Sequence, residues 1–213
     1  MLVAHLPAGY LITHAAIRLS GTKGNPATML LCAGLCASVL PDFDLLYFYF
    51  IDNRQHTHHS YWSHIPFYWM FLYFVSLPWF VVLDKQKLLL IVTVMFFNIL
   101  GHLVLDTVVG HIRWWFPFSN QYFVLFHVPS RYPLWIWNFV LHWTFTIEIV
   151  LVSAAVAVWH GKKNRRRADK YLPAPTFPSI SVLGSMLANK TRLSFELAKR
   201  LRKDCRGCRS NAW

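Results

Sequence analysis

Aspartate and histidine side chains interrupt the most apolar parts of this sequence, where a charged group is costly unless it is paired or bound to a cation. Asp42 and Asp44 lie inside the apolar run 26–50, and His102 and Asp106 stand four residues apart near the end of another such run. Side chains four residues apart project from one face of a helix. We therefore expect His102 and Asp106 to face the same neighbouring group.

Histidines form a second group of chemically active side chains. The segment RQHTHHSYWSHIP (54–66) contains four of them: His56, His58, His59 and His64. A further histidine, His5, lies near the start of the chain. In a helix His14 would follow nine residues later on roughly the opposite face, which favours His5 as the site residue.

Imidazoles and carboxylates without a thiolate are the ligand set of zinc, manganese and iron in hydrolytic sites. Such a metal polarises the bond to be cut and lowers the pKa of water. A single intramembrane histidine or aspartate is often only hydrogen-bonded to a neighbouring helix. Several of them at one side of a membrane favour a divalent metal cofactor, zinc first, with manganese or iron as the alternatives.

The composition predicts an integral membrane protein. The chain has 213 residues, of which 55% are hydrophobic and 14% charged, and its mean hydropathy is +0.36. Four runs reach the ~20 residues needed to cross a bilayer, namely 26–50, 65–83, 87–105 and 134–159. Residues 5–19 form a shorter, more polar run that would span the membrane or lie at its surface. We predict an all-α fold, a polytopic transmembrane bundle of four to five spans.

Threading the chain through a bilayer brings the polar residues to one side. Successive spans cross in opposite directions, so His5, the end of 26–50, the histidine-rich loop and the end of 87–105 share that side. The other side carries most of the cations, Arg18, Lys23, Lys85, Lys87 and the cluster 162–167, against Arg54, Arg113 and Arg131. The positive-inside rule makes the cation-rich side cytoplasmic. The polar group is therefore predicted at the extracytoplasmic end.

The end of the chain has a different character. We divide the sequence into a membrane-embedded domain, 1–160, and a basic cytoplasmic tail, 161–213, with a Pro-rich linker and an amphipathic helix over 180–203. Much of the formal net charge of +12 lies in this tail. A basic tail after a membrane span favours contact with anionic membrane lipid over nucleic acid. The sequence does not define an oligomeric state.

Several short motifs resemble a known family. They are His5 with Gly9, the LPDxD motif at 40–44, His58-His59-Ser60, and the HxxxD run that starts at His102 and continues through Gly110 to PFS at 117–119. In order and spacing over about residues 1–120, the chain resembles the bacterial membrane-bound metal-dependent hydrolases (the YdjM-like, LexA-binding inner-membrane hydrolases). The resemblance implies a multi-pass protein of the bacterial inner membrane and leaves the tail after residue 160 outside the match.

Two departures from the family pattern concern histidines. The usual HRGxTHS is RQHTHHS here, and the usual histidine after LPDxD is Leu45, for which His56, His58 or His64 would substitute. The family is in turn distantly similar to zinc-dependent phospholipase C and P1 nuclease, helical enzymes with His and Asp ligands. That similarity implies hydrolysis of a phosphoester or lipid-linked substrate.

The motifs and the threading together assign roles to individual residues. The predicted metal ligands are His5, Asp42, Asp44, His59, His102 and Asp106. Asp44, His58 and His64 are the predicted catalytic side chains, with Asp44 or a loop histidine as the base that activates water. Arg54 or Arg113 would hold a substrate phosphate. Ser60 has no base at a diagnostic spacing, so a hydrogen-bonding role is favoured over a nucleophilic one.

Two other functions fit the same sequence. Histidine and aspartate inside membrane spans also mark ion paths, so a metal-ion transporter or sensor is the first alternative. It would require polar residues to continue across the membrane. The second alternative is a non-enzymatic scaffold that recruits a partner through its basic tail. It predicts that removing 161–213 abolishes function, whereas His102→Ala does not.

Overall fold

The regular secondary structure of the described chain is helical. The computed structural model describes residues 3–171, and their only β pairing is an isolated bridge between Ile112 and Phe123. The side chains of His58, Trp135 and 165–171 fall outside this description. Two compact units divide the sequence, Met1–Lys162 and Lys163–Trp213. Only residues 163–171 of the second unit are described, so the predicted helix over 180–203 lies outside the described residues.

Seven α-helices follow one another along the described chain. They are α1 (His5–Leu19), α2 (Asn25–Val39), α3 (Asp44–Phe50), α4 (Pro66–Val82), α5 (Gln86–Thr107), α6 (Trp135–Val140) and α7 (Phe145–Tyr171). Three short 3-10 helices connect them, Pro41–Phe43, His58–Ser60 and Trp62–His64. The last two lie in the histidine-rich segment, directly before α4.

The helices confirm a membrane-spanning protein and modify the predicted spans. Helix α5 and the Phe145–Asn164 part of α7 are long and apolar enough to cross a bilayer, and α2 with Pro41–Phe50 adds a third span if this pair, bent by 52°, crosses as one. Helix α4 is apolar but has only 17 residues. The run 134–159 is two helices, because α6 ends at Val140, and α7 continues past residue 160 to Tyr171.

Small residues let the first helices pack closely around α5. Helices α1, α2 and α5 contact one another, and α4 packs on α5. A Cβ added at Gly9 of α1 would overlap the side chain of Ser38 in α2, and one at Gly34 would overlap Thr13. Close backbone approach through such residues is the usual way that membrane helices associate. It brings the ends of these helices together.

Pro41 shapes the end of α2 where the polar residues gather. Proline lacks the backbone N–H that would continue the helix, so α2 ends at Val39 and the chain bends by 52° into Pro41–Phe50. The last carbonyls of a helix have no partner within it, and that of Ser38 is one of them. The bend carries Asp42 and Asp44 across the end of the bundle, next to the end of α5.

Candidate metal centre

Four side chains from distant parts of the chain meet at this end of the bundle. Asp42, His64, His102 and Asp106 each offer one nitrogen or oxygen atom, and these atoms all lie within 4.8 Å of one another. His64 is fully buried, and His102 and Asp106 are 2% and 1% exposed. The Asp42 side chain is 29% exposed. The group is therefore closed on three sides and open at Asp42.

The end of α2 sets the orientation of His102. Its Nδ1 donates a hydrogen bond to the Ser38 carbonyl oxygen at 2.8 Å. A carbonyl oxygen can only accept, so Nδ1 carries the proton and Nε2 keeps its lone pair. That Nε2 lies 3.0 Å from Asp106 Oδ2 and 3.6 Å from Asp42 Oδ1, and it makes no hydrogen bond within the described part of the chain.

Asp44 orients His64 in the same way. His64 Nδ1 lies 2.6 Å from Asp44 Oδ2, which also accepts a hydrogen bond from Ser63 Oγ at 2.5 Å. The opposite nitrogen, His64 Nε2, lies 3.4 Å from Asp106 Oδ2 and 3.7 Å from Asp42 Oδ1. Both histidines of the group thus turn Nε2 toward the same two carboxylates.

The surrounding carboxylates make His64 a cationic side chain when no metal is bound. Burial disfavours the charged imidazolium, but hydrogen bonds to Asp106, Asp42 and Asp44 outweigh burial and raise the pKa of His64 to about 11. A proton then occupies the position in which a metal ion would neutralise the carboxylates. Metal binding at neutral pH must therefore release this proton.

Two further histidines lie against Asp106. His5 Nε2 is 3.2 Å from Asp106 Oδ1, and His59 Nε2 is 3.6 Å from Asp106 Oδ2. The His5 ring also stacks on that of His102, with centroids 3.8 Å apart. Gly110 makes room for His59, because a Cβ there would lie 2.6 Å from His59 Cε1. These two histidines border the group of four rather than belong to it.

The group fits a divalent metal ion. Once the proton of His64 is released, the donors of the group are two imidazole nitrogens and two carboxylates, the ligand types that zinc, manganese and iron share. Metal-binding histidines almost always hydrogen-bond through their second nitrogen to a carboxylate or a backbone carbonyl. His64 and His102 do so with Asp44 and Ser38 respectively. The donor set supports a metal site without specifying the ion.

In the structure, several of the residues predicted from the sequence have a different role from the one expected. Asp42, His102 and Asp106 lie in the group, Asp44 supports His64, and His5 and His59 border Asp106. His64, predicted as a catalytic side chain, joins the group of four. The side chain of His58, also predicted as catalytic, lies outside the described residues. Ser38 and Ser63 were missed, although Ser63 directly precedes His64.

The remaining candidates lie in the surrounding loops. His56 pairs with Asp52 at 2.9 Å and is 65% exposed, away from the group of four. Arg113 Nη2 donates to the Ser60 carbonyl oxygen at 2.6 Å, and Ser60 Oγ donates to the Thr57 carbonyl oxygen. Arg54 stacks over the Tyr49 ring at 4.7 Å. Ser60 thus has hydrogen-bonding contacts, and Arg113 fixes the turn that carries His59.

Comparison with known proteins identifies one family. The YdjM inner membrane protein family matches residues 1–188 of the chain. The match extends well past the motifs, which end near residue 120, and includes part of the tail that the resemblance was expected to leave out. No curated protein and no solved structure matches the chain.

Proposed function

Because the chain belongs to the YdjM family of inner membrane proteins, we propose that it is an integral-membrane, metal-dependent hydrolase acting on a phosphoester or lipid-linked substrate. The observation that carries the proposal is the convergence of Asp42, His64, His102 and Asp106 at one end of the bundle. The reaction class is supported by the HxxxD run at His102 and Asp106, because zinc-dependent phospholipase C and P1 nuclease also use His and Asp ligands that include an HxxxD helix.

The four residues would hold zinc, or else manganese or iron. A divalent metal bound there supplies Lewis acidity, which polarises a phosphoryl group and lowers the pKa of water. The exposed edge of Asp42 gives the substrate access, since the other three side chains are buried. Asp44 Oδ1 is buried and has no hydrogen-bond partner in the described chain. It is therefore the oxygen available to accept a proton, as the base requires.

The interior of the bundle favours an enzyme over a transporter. Below the group of four, Asn98 Nδ2 donates to Thr13 Oγ1 at 3.1 Å. Farther along, toward the opposite end of the bundle, the imidazole of His14 is buried. The other buried side chains there include the apolar Leu30, Val94 and Phe96. An ion path would need polar groups to continue through that region. Apolar packing there supports a closed site at one end.

We further propose that four or five segments cross the membrane and that the C-terminus is cytoplasmic. The 17 residues of α4 extend about 26 Å at 1.5 Å per residue, close to the thickness of the hydrocarbon core. With α4 crossing, the cation-rich segments share one side, as the positive-inside rule requires. The group of four, Asp42, His64, His102 and Asp106, is called the metal group from here on. In this topology it lies at the extracytoplasmic face.

The test is metal content followed by activity. Detergent-purified protein should contain near-stoichiometric zinc, manganese or iron by elemental mass spectrometry, and folded Asp42→Ala and His102→Ala variants should lose it. The loaded protein should hydrolyse a member of a phosphoester and phospholipid panel, and both variants should not. Absence of metal after reloading would refute the hydrolase. Metal without hydrolysis of any panel member would favour a sensor.

A further inference from the structure

An apolar cavity adjoins the metal group on the Asp44 side. It has a volume of about 670 Å³, within the ~300–1,000 Å³ typical of small-molecule sites. Six of its lining residues are apolar or aromatic: Leu40, Phe43, Tyr47, Tyr61, Trp62 and Trp69. The other two are Asp44 and Ser63. The only charged side chain of the lining is therefore the one that orients His64.

The same two polar residues belong to the cavity and to the support of the metal group. Asp44 Oδ2 accepts hydrogen bonds from Ser63 Oγ and from His64 Nδ1, at 2.5 and 2.6 Å. The Asp44 side chain is 8% exposed, and its Oδ1 has no hydrogen-bond partner among the described residues. A molecule in the cavity would thus place one end beside the two side chains that support His64, next to the group of metal ligands.

The other end of the cavity opens toward the surface through aromatic side chains. Phe43, Tyr47 and Trp62 are 61%, 47% and 60% exposed. Exposed tyrosine and tryptophan at helix ends are typical of the membrane–water interface. Trp62 also packs on Trp69, with ring centroids 5.8 Å apart and ring planes tilted by 34°, so one wall of the opening is aromatic. This end is suited to receiving a hydrocarbon chain directly from the lipid phase.

We propose that this cavity binds the hydrocarbon chain of a phosphate-headed amphiphile, with the headgroup held at the metal group. The inference rests on the proposed function, because it names the substrate class of the same site. Apolar walls bind a chain by removing it from water, and continuity through Asp44 and Ser63 brings the headgroup to the metal ligands. A water-soluble phosphoester would leave this cavity unused.

The test is photolabelling of zinc-loaded protein in dodecyl maltoside micelles, which contain no phosphate headgroup to compete for the site. The probe is hexadecyl phosphate with a diazirine in its chain, and labelled peptides are mapped by mass spectrometry. We expect label concentrated in residues 40–47 and 61–69, displaced by unlabelled hexadecyl phosphate but not by hexadecyltrimethylammonium. Trp62→Ala should lower this labelling at least about threefold, through loss of one aromatic wall.

A matched control is Trp79→Ala on α4. Trp79 is 68% exposed and lines neither this cavity nor a second one of about 440 Å³ beside Thr107 and Trp114. Trp79→Ala should leave the labelling of the cavity unchanged. Zinc content should be stoichiometric in both Trp62→Ala and Trp79→Ala, which would show that the helical bundle of each variant is folded.

Three outcomes would overturn the proposal: label spread evenly over lipid-facing helices, label centred on the second cavity, or equal displacement by the cationic amphiphile. The proposed function has a separate readout. Hydrolysis of a soluble phosphoester by a protein without cavity labelling would leave the hydrolase standing and refute only the chain site. Cavity labelling in a protein that binds no metal would support the chain site, but it would refute both the hydrolase and the binding of the headgroup to a metal.

Discussion

Replacing Asp44 by asparagine distinguishes a residue that orients a ligand from one that binds the metal. The substitution keeps the shape of the side chain but removes the negative charge that faces His64 Nδ1 at 2.6 Å. Hydrogen bonds to charged groups contribute about 1.5–3 kcal/mol. Loss of such an outer partner typically weakens metal binding about 10–100-fold, or roughly 1.4–2.7 kcal/mol. We therefore expect the zinc dissociation constant of Asp44→Asn to rise about 10–100-fold.

The assay is a zinc titration against a fluorescent chelator in detergent, with two reference variants. Asp52→Asn removes a carboxylate that also bonds a histidine, His56 at 2.9 Å, but on the exposed loop; it should bind zinc as wild type does. Asp42→Asn removes a ligand and should abolish stoichiometric binding. If the zinc dissociation constant of Asp44→Asn equalled that of Asp52→Asn, Asp44 would not orient a metal ligand. If Asp44→Asn lost stoichiometric zinc binding as Asp42→Asn does, Asp44 would itself be a metal ligand.

Three more outcomes follow. The pKa of His64 is raised to about 11. Its positive charge therefore stabilises the metal-free fold fully below the pKa of ~6.5 that His64 has in the unfolded chain, and this stabilisation is lost as the pH rises toward 11. Because zinc binding releases this one proton, zinc affinity in chelator titrations should rise about tenfold per pH unit from pH 7 to pH 9. Gly9→Ala should destabilise the bundle by about 1–3 kcal/mol in thermal unfolding because the Cβ overlaps Ser38, whereas Gly161→Ala, in open space within α7, should not destabilise it. Deleting 172–213 should leave zinc content unchanged, because the ligands lie between residues 42 and 106; loss of zinc would refute this independence.

The alternating direction of successive apolar runs made much of the candidate metal site predictable from the sequence. If each of the predicted apolar runs crosses the bilayer, successive runs alternate in direction, and the ends of 26–50 and 87–105 are expected on the same side. The spacing of His102 and Asp106 then fixed a common face. These two arguments brought together three of the four grouped residues, Asp42, His102 and Asp106.

The roles of His64 and Asp44 could not be predicted from the sequence, because they depend on the conformation of the loops that carry them. Four histidines crowd the segment before α4, and periodicity cannot rank them because the segment forms short 3-10 turns rather than a regular helix. His64 is the one that becomes fully buried, and the turn at Trp62–His64 determines this. Asp44 was predicted as a ligand, but its orienting contact depends on the 52° bend after α2, which a run of apolar residues does not reveal.

The order of the ligands along the chain has a consequence for biosynthesis. Asp42 arrives with the second helix and His64 before the fourth, whereas His102 and Asp106 arrive only at the end of α5. A nascent chain that has inserted its first helices therefore exposes isolated polar groups without a complete set of ligands. If these four residues hold a metal, the ion could be captured only after α5 has been made, and it would join segments that are synthesised at different times. A bound ion would thus mark completed assembly of the bundle and oppose withdrawal of any one of its helices.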